Sequence, residues 1–339
     1  MDITQTIEQH WQKPKWWLSV LLYPFSRVFS LVSIIRRWLY QQGILKGVQI
    51  RVPVVVIGNI HSGGVGKTPI TAALAQDLQN IGIKIGIISR GYGRQTTDVR
   101  IVKASDTAQT VGDEPLFLVN KTGVPMAVGI DRVAAAELLL SKYPDIQMIL
   151  SDDGLQHYRL ARDGEIIVFP ASDIGESLDV LPNGCLREPL SRLRYADFIL
   201  ISNNACDMKW AYPLPDSVTV LSSTLEFGAL YAFRQPEKTV RADFFTNKKT
   251  VALAGIARPE RFFNTLYALG IKVDETISLP DHKALTIEDI PPDTEALIIT
   301  EKDAVKLGSE PLPPVWILPL NAIIPPELSM LVKKKFWYG

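Results

Sequence analysis

The sequence predicts an α/β fold in which a mostly parallel sheet carries helices on both faces, followed by a second, smaller α/β unit. Short apolar segments alternate with helical patterns between residues 52 and 202, which is typical of parallel sheets because each crossover connection needs a helix. A second alternating series begins at Thr250. A chain of 339 residues with 47% hydrophobic content is long enough to fill two cores.

The first 46 residues are predicted to form an amphipathic segment at a membrane interface. The longest run without a charged residue, 16–26, has 11 residues and contains Pro24, whereas a membrane-spanning helix needs about 20. After Pro24 the pattern becomes that of an amphipathic helix. Its apolar face holds Phe25, Val28, Val32, Ile35 and Leu39, and its polar face holds Arg27, Ser30, Arg37 and Gln41. An ordinary helix packed on the body of the protein is the alternative.

Charge is unevenly distributed along a chain whose formal net charge is zero. Residues 1–51 contain seven basic and two acidic side chains, and residues 333–335 are three consecutive lysines. These basic ends favour an anionic surface as partner, and a membrane fits better than nucleic acid. No obligate protein partner is evident. The two cysteines, Cys185 and Cys206, form neither a disulfide framework nor a zinc pattern, which fits a reducing cytoplasm.

A glycine-rich turn follows the strand predicted at 52–58 and leads into a helical pattern. This order is that of a phosphate-binding loop, in which backbone N–H groups and the helix N-terminus face the anion. Lys67 is expected to reach the outer phosphates and Thr68 to ligate Mg²⁺. His61 stands where the standard spacing has glycine, and Ser62 where some ATPases carry a second lysine. The predicted nucleotide-binding residues are His61, Ser62, Gly63, Gly64, Val65, Gly66, Lys67 and Thr68.

The remaining elements of the first unit follow from the same alternation. Strands are predicted at 84–89, 124–128, 147–151, 165–169 and 198–202, and a helix is predicted at 132–143. Asp131 directly precedes that helix and is predicted to be its N-cap.

Two carboxylates, Asp152 and Asp153, follow the strand predicted at 147–151. An enzyme with a phosphate-binding loop needs an acid at the end of a neighbouring strand to hold Mg²⁺ or its water shell. We therefore interpret the pair as metal-binding, with a plain turn as the alternative. His157 lies one turn later, where it is placed to orient phosphate, although a single histidine is more often structural.

Further polar segments stand in loops, and the ends of parallel strands are where ligands of open α/β sheets bind. Arg90 and Tyr92 follow the strand at 84–89 and suit an anionic, sugar-bearing substrate. Asp113 lies in a predicted loop, and a turn at this position does not need acidic residues. The segments are Ser89-Arg90-Gly91-Tyr92-Gly93-Arg94, Gly112-Asp113-Glu114-Pro115, Arg187-Glu188-Pro189 and, in the second unit, Asp281-His282.

A connector and a second unit complete the prediction. The segments 218–225 and 229–233 are predicted to pair as a hairpin around 226–228. The second unit is expected to contain a strand at Thr250, a helix at 259–269 and strands at 296–300 and 315–319. The predicted division is a membrane segment at 1–46, a nucleotide-binding domain at 47–216, a two-stranded linker at 217–235, and a second domain with a basic tail at 236–339.

Taken together, these motifs resemble the tetraacyldisaccharide 4′-kinase family, the lipid A 4′-kinases, over nearly the whole chain. The resemblance implies phosphorylation of the 4′-hydroxyl of a tetraacylated disaccharide 1-phosphate with ATP and Mg²⁺. It also implies a two-domain, monotopic enzyme at the cytoplasmic face of the bacterial inner membrane. The residues that carry it are Gly58-Asn59, Gly63-Gly64-Val65-Gly66-Lys67-Thr68-Pro69, Ser89-Arg90-Gly91-Tyr92-Gly93, Gly112-Asp113-Glu114-Pro115, Asp152-Asp153-Gly154-Leu155-Gln156-His157, Leu186-Arg187-Glu188-Pro189, Asp281-His282 and Thr300-Glu301-Lys302-Asp303.

The resemblance also implies roles for single residues. Asp113 is expected to be the catalytic base, paired with His282 from the second domain, and Lys67 to act on the transferred phosphate. The expected metal ligands are Thr68, Asp152, Asp153 and Glu188. The residues expected to approach the lipid substrate are Asn59, Arg90, Tyr92 and His157.

Three other functions share some of these features. A membrane-associated phosphate-loop ATPase that switches without phosphorylating an acceptor is the principal alternative, and Ser62 in place of a second lysine counts against it. A GTPase would carry Asn-Lys-x-Asp, whereas Thr300-Glu301-Lys302-Asp303 has glutamate at the lysine position, which favours adenine. A kinase for a soluble metabolite would leave the tryptophan-rich amino terminus unexplained.

Overall fold

The structure is a computed structural model that describes residues 3–204, 208–256, 258–280, 283, 285–308 and 311–337. The α-helices of these residues are α1 (Ile3–Gln12), α2 (Trp16–Gln41), α3 (Lys67–Asn80), α4 (Ala108–Val111), α5 (Asp113–Thr122), α6 (Arg132–Lys142), α7 (Pro259–Ala268), α8 (Glu301–Ala304) and α9 (Pro326–Phe336). The strands are β1 (Val54–Gly58), β2 (Ile85–Ser89), β3 (Arg100–Val102), β4 (Met126–Val128), β5 (Met148–Asp152), β6 (Gly164–Pro170), β7 (Phe198–Ser202), β8 (Thr219–Ser222), β9 (Thr224–Phe227), β10 (Leu230–Ala232), β11 (Gln235–Val240), β12 (Thr250–Ala254), β13 (Glu275–Ser278), β14 (Ala296–Thr300), β15 (Val315–Leu318) and β16 (Leu320–Ile323).

The first sheet has the strand order β3-β4-β2-β5-β1-β6-β7-β8 and is parallel except for the edge pair β3–β4. The central strand β1 is buried on both faces: Val55 and Ile57 enter one hydrophobic core, and Val54 and Val56 enter the other. Burial on both faces explains why β1 is a continuous run of apolar residues rather than an alternating one. The predicted fold class is confirmed, and the loops after β1, β2 and β5 meet at one edge of the sheet.

The second sheet has the order β11-β10-β15-β14-β12-β13. Strands β12, β13, β14 and β15 pair in parallel, and β10 and β11 add an antiparallel edge. Helix α7 buries Phe262, Phe263 and Leu266 against one face of this sheet. The strands predicted at 296–300 and 315–319 and the helix predicted at 259–269 are confirmed.

The predicted hairpin between 218–225 and 229–233 is wrong. Strand β8 instead extends the first sheet in parallel with β7, and β10 pairs with β11 and β15 in the second sheet. Between them β9 pairs antiparallel with β16, almost a hundred residues later in the chain. This distant pairing prevails because it places Leu225, Ala322 and Ile324 against the first core, which a local hairpin would leave exposed.

The carboxyl-terminal segment was assigned to the second domain, but the structure places it on the first. Helix α9 begins at Pro326, which fits the first helical turn. Its residues Leu328, Val332 and Phe336 recur every fourth position, so they share one face, and all three are buried in the first core. Gly164 at the start of β6 makes room for Phe336, since a Cβ there would lie 2.3 Å from the ring.

This docking of α9 predicts a large stability effect at Phe336. Phe336→Ala should lower the free energy of unfolding of the first domain by about 3–5 kcal/mol, because a buried aromatic ring is replaced by a cavity. Met330→Ala, an exposed position on the same helix, is the control and should stay within about 0.5 kcal/mol. Chemical denaturation measures both. If both variants changed the free energy of unfolding by the same small amount, α9 would not contribute to the stability of the first domain.

Helix α2 differs from the expectation in its length and in the side it turns to the protein. It runs without interruption from Trp16 to Gln41 with Pro24 inside. Leu18 before the proline and Ser26 after it are both buried, so tertiary contacts hold the turns on either side. By length and composition α2 could cross a membrane. The uncharged run of 11 residues at 16–26 is therefore shorter than the apolar helix that the structure shows. The apolar side chains Phe25, Val28, Val32 and Ile35 are exposed.

Candidate active site

The loop after β1 has the geometry of an anion site. Gly63 and Gly66 have φ of 116° and 85°, a left-handed region that favours glycine, and α3 begins at Lys67. Within the described residues the N–H groups of residues 63–66 donate no hydrogen bond. Together with the first turn of α3 they leave donors available for a phosphate. The predicted order of strand, loop and helix is confirmed.

The first two residues of the loop, His61 and Ser62, contact other parts of the protein. Ser62 N–H donates to the carbonyl of Cys185 at 2.7 Å, so this group is not available to a nucleotide. The His61 ring is buried, with Nε2 3.1 Å from an Asp173 oxygen and its edge against Phe169. The imidazole therefore anchors the loop to the segment after β6. The N–H of Ser62 and the ring of His61 are thus used within the protein, and a nucleotide contact of either residue stays a prediction.

Two side-chain oxygens contact the ammonium group of Lys67, and neither contact is predicted from the sequence. Its Nζ lies 3.1 Å from Asn59 Oδ1 and 3.5 Å from Asp153 Oδ1. Asn59 is fully buried and its amide also donates to the Gly63 carbonyl at 3.4 Å. These contacts give Asn59 a role within the loop, and its approach to the lipid substrate stays a prediction. As the residue directly after β1, it lies beneath the loop and positions Lys67.

The two acids at the end of β5 lie in different electrostatic environments. Asp152 is buried and accepts a hydrogen bond from the Thr71 hydroxyl of α3 at 2.9 Å. Burial, and then the charges of Glu114 and Asp153, raise the pKa of Asp152 to about 7. Burial by itself raises the pKa of Asp153 too, but the charges of Lys67 and Arg187 outweigh it and leave this pKa below its usual value.

Thr68, Asp152 and Asp153 offer the hydroxyl and carboxylate oxygens that Mg²⁺ prefers. Asp153 Oδ1 is buried without a hydrogen bond, and the charge of Asp153 helps to raise the pKa of Asp152, an effect that a bound cation would offset. This donor set fits a divalent cation.

Glu188, the fourth expected metal ligand, is already engaged by protein donors. Its Oε1 accepts from Gln156 at 3.0 Å, and its Oε2 accepts from the Tyr158 hydroxyl at 2.7 Å and lies 3.2 Å from Arg192 Nε. Gln156 also donates to the Asn59 carbonyl at 3.2 Å. Glu188 therefore supports the floor of the loop, and a metal would have to share its oxygens with these donors.

A conservative change at Glu188 separates the two roles. Glu188→Gln should lower the free energy of unfolding by roughly 1–3 kcal/mol, because charged hydrogen bonds to buried donors are lost, while the Mg²⁺ concentration for half-maximal turnover stays the same. Glu137→Gln, an exposed position on α6, controls for the charge change. A large shift in Mg²⁺ dependence with unchanged stability would restore Glu188 as a metal ligand.

Asp113 is the first residue of helix α5, whereas a loop is predicted from the sequence at this position. Gly112 precedes it with φ of 96°, so the chain turns sharply into the helix. Although Asp113 is only 4% exposed, it faces the second domain, where Lys302 Nζ and Lys306 Nζ lie 3.6 and 3.8 Å from its Oδ2. Its expected partner His282 lies outside the described residues.

Lys306 is a buried residue of this site that no sequence motif predicted. It donates to the Gly255 carbonyl at 2.7 Å and to Asp303 at 2.8 Å. Asp303 in turn accepts from the Thr300 hydroxyl at 2.7 Å. The segment Thr300-Glu301-Lys302-Asp303 was noted as a motif, and the structure shows that it starts α8 and supports the ammonium group beside Asp113.

A cavity of about 130 Å³ adjoins Asp113 and Lys306. Tyr92, a predicted substrate-binding residue, lines it together with Gly93, Gln95, Ala108 and Gln109. Arg90, two residues earlier, is exposed at the end of β2.

The remaining residue expected at the substrate, His157, is half-buried. Burial first, and then the charge of Arg132, lowers its pKa to about 4, so its imidazole is neutral near pH 7. Its Nε2 is buried without a hydrogen-bond partner in the described structure. A neutral imidazole with a vacant ring nitrogen can donate or accept one hydrogen bond.

The two domains are joined across this site by further charged contacts. Lys121 of α5 lies 2.7 Å from Glu301 and 2.8 Å from Asn321 Oδ1, and Glu114 lies 3.3 Å from Lys302. Opposite charges on facing surfaces thus hold α8 against α5.

Comparison with known proteins gives consistent matches over almost the full chain. A family model described as tetraacyldisaccharide-1-P 4′-kinase matches residues 18–336. The tetraacyldisaccharide 4′-kinase of Neisseria gonorrhoeae is 46% identical over 97% of this chain and 95% of its own. That of Chromobacterium violaceum is 46% identical over 98% and 99%. A crystal structure of LpxK from Aquifex aeolicus in complex with ATP is similar with a TM-score of 0.80 and 29% identity, covering 94% of this chain and all of that one.

Proposed function

The chain belongs to the tetraacyldisaccharide-1-P 4′-kinase family, and on that basis we propose that it transfers the γ-phosphate of ATP to the 4′-hydroxyl of a tetraacylated disaccharide 1-phosphate, a precursor of lipid A. The position of Lys67 supports the proposal beyond family membership. Lys67 of the phosphate loop lies 3.5 Å from Asp153, the acid that follows β5, so the loop is adjacent to a proposed metal ligand. Asp113 borders the cavity lined by Tyr92, which follows β2 at the same edge of the sheet.

The nucleotide end of this site is assigned to residues 63–68. Their N–H groups and the N-terminus of α3 would bind the β- and γ-phosphates, and Lys67 would neutralise the charge that develops on the transferred group. Thr68, Asp152 and Asp153 would hold Mg²⁺, which supplies charge neutralisation between the phosphates when bound. The ATP complex of the Aquifex aeolicus relative supports the choice of nucleotide.

The acceptor end is assigned to Asp113. A sugar hydroxyl must lose its proton as it attacks phosphorus, and a carboxylate within hydrogen-bonding reach can accept it. Asp113 borders the cavity lined by Tyr92, and Lys302 and Lys306 hold it from the second domain. Because base and supporting cations come from different domains, domain closure would complete the site and exclude water, which is the competing acceptor. The pairing of Asp113 with His282 remains part of the proposal.

Helix α2 is proposed to lie in the membrane interface at the cytoplasmic face of the inner membrane. It contacts the body along its length: Ser26 accepts from Asn183 N–H at 2.9 Å, and Tyr40 stacks on Tyr158. Residues 26–40 pack on the folded first domain. If this part of the helix crossed a bilayer, the domain would have to enter the membrane as well. Its exposed apolar side chains would instead enter the membrane sideways.

Acidic substitutions on the exposed face of α2 should detach the protein from membranes. Phe25, Val32 and Ile35 are all exposed, and replacing all three by glutamate removes apolar groups worth about 0.8 kcal/mol per buried CH₂ and adds charge. The variant should remain in the supernatant when anionic vesicles are sedimented. Glutamate at the exposed positions Tyr143, Tyr267 and Leu269 is the matched control and should still sediment. If the α2 variant also sediments, the interfacial placement is wrong.

The proposed reaction is tested by ATP turnover with and without a tetraacylated disaccharide 1-phosphate. We expect label from [γ-³²P]ATP on the 4′-oxygen of the lipid and little ADP in its absence. Equal ADP production in both cases would instead identify a membrane-associated ATPase without an acceptor. Transfer to a soluble sugar but not to the lipid would identify a metabolite kinase.

A further inference from the structure

A cavity of about 460 Å³ lies between α2 and the first domain. Arg37 and Tyr40 line it from the helix, and Tyr158 and Tyr195 line it from the body. Its floor includes Gly164, the first residue of β6. The cavity therefore lies at the amino-terminal edge of the sheet, whereas the phosphate loop follows the carboxyl end of β1. The strands separate the two edges by roughly 20 Å, so this cavity is distinct from the catalytic site, although Tyr158 and Arg192 of its lining contact Glu188 beneath the phosphate loop.

Arg37 is a buried cation without a counter-ion. The residue is 7% exposed, its Nε has no hydrogen-bond acceptor, and no described carboxylate lies within 4 Å of its guanidinium. Its described contact is with the ring of Tyr195, whose centre lies 4.3 Å away. The terminal nitrogens of Arg37 are not among the buried atoms without a partner, so they reach the cavity, which is large enough for a ligand.

No carboxylate in the cavity lining forms an ion pair with Arg37 among the described residues, and each of the three has another contact. Glu165 binds Arg192 at 2.6 Å and Arg162 at 3.2 Å. Asp197 binds Lys335 at 2.6 Å, and Asp163 accepts the Val54 N–H at 2.8 Å. The formal charges of the lining sum to zero, and Arg37 is the arginine among them for which the described residues provide no ion pair.

We propose that this cavity binds the phosphate group of an anionic phospholipid headgroup, with Arg37 as its counter-ion and the three tyrosines as walls. Ile34 and Trp38, on either side of Arg37 along α2, are exposed apolar side chains, so a bound headgroup would have its acyl chains beside the membrane-facing side of the helix. Tyrosine and tryptophan are favoured at this depth of a bilayer. The proposal rests on the interfacial placement of α2, and the bound lipid would secure the helix to the body.

Binding of a soluble, short-chain phosphatidylglycerol to the full chain tests the proposal without a membrane. A non-hydrolysable ATP analogue is kept at saturation so that the phosphate loop is occupied, and inorganic phosphate is titrated in a parallel arm. Arg37→Gln removes the counter-ion. Gly47→Leu places a side chain at a residue of the lining where a Cβ meets its nearest neighbour at 3.5 Å, an ordinary contact. Lys46→Gln, an exposed neighbour, removes the same charge outside the cavity.

We expect saturable binding of the short-chain lipid that Arg37→Gln weakens by about ten-fold or more, as for the loss of a charge-assisted hydrogen-bond donor. Gly47→Leu should weaken it to a similar extent and Lys46→Gln should not. Equal weakening by all three variants, or binding of inorganic phosphate with no binding of the lipid, would overturn the proposal. Turnover of the disaccharide lipid in detergent should be unchanged in all three, which separates this site from the proposed kinase activity. Sedimentation of the α2 glutamate variant separately reports the membrane placement.

Discussion

Lys67→Ala should lower kcat/KM for ATP-dependent phosphorylation by a factor of about 10² to 10³ or more. The removal of one preorganised group that faces the charge of a transition state costs roughly 3–4 kcal/mol, and Lys67 carries a full positive charge in a half-enclosed loop. Its substitution also leaves Asp153 Oδ1 without the ammonium group at 3.5 Å. The loop itself should keep its shape, because Asn59 still donates to the Gly63 carbonyl.

Initial rates at saturating acceptor lipid measure this effect, and thermal unfolding shows whether the variant is folded. Lys84→Ala is the matched control, since Lys84 forms an exposed pair with Asp145 outside the site and should retain full activity. Activity of Lys67→Ala close to that of the unchanged protein would remove the phosphate-loop assignment.

Asp113→Ala should lower kcat by about 10² to 10⁴, the usual contribution of a general base. ATP affinity should stay near its original value, because the proposed role of Asp113 is toward the acceptor. His282→Ala should lose less. The double variant should lose much less than the product of the single losses, since residues that act as one unit are not additive.

Single-turnover rates and ATP binding, measured separately, distinguish the outcomes. Glu137→Ala, an exposed acid on α6, controls for the loss of charge. Fully multiplicative losses would exclude the Asp113–His282 pairing, and a defect confined to ATP affinity would assign Asp113 to metal binding. Lys306→Met adds a further test: a lower kcat with unchanged ATP affinity would support a positioning role for its contact with Asp113.

The sequence contained enough local information to predict the elements that carry the chemistry. β1, the glycine loop and α3 are specified by short-range patterns: a buried apolar run, glycines where φ is positive, and a helix start. The N-cap role of Asp131, which accepts from the N–H groups of Val133 and Ala134, is equally local. The family resemblance, carried by motifs spread over the chain, is confirmed by the family match and by relatives at 46% identity.

Only the tertiary structure decided which distant segments meet. An alternating strand pattern shows which face is buried but does not name the partner strand; the predicted hairpin was therefore wrong, and β9 pairs with β16. The amphipathic pattern of 326–336 did not show that its apolar face belongs to the first core. The side of α2 that meets the protein was also decided by contacts such as Ser26 with Asn183.

The same distinction holds within the site. Motifs identified Lys67, Asp152 and Asp153, because phosphate and metal chemistry requires these residue types at strand ends. They did not show that Asn59 is buried beneath the loop or that Lys306 reaches Asp113 from the other domain. The sequence by itself therefore determined the chemical groups and the local elements that carry them. Their partners depend on packing between residues up to nearly two hundred positions apart, and such packing leaves no periodic signal in the chain.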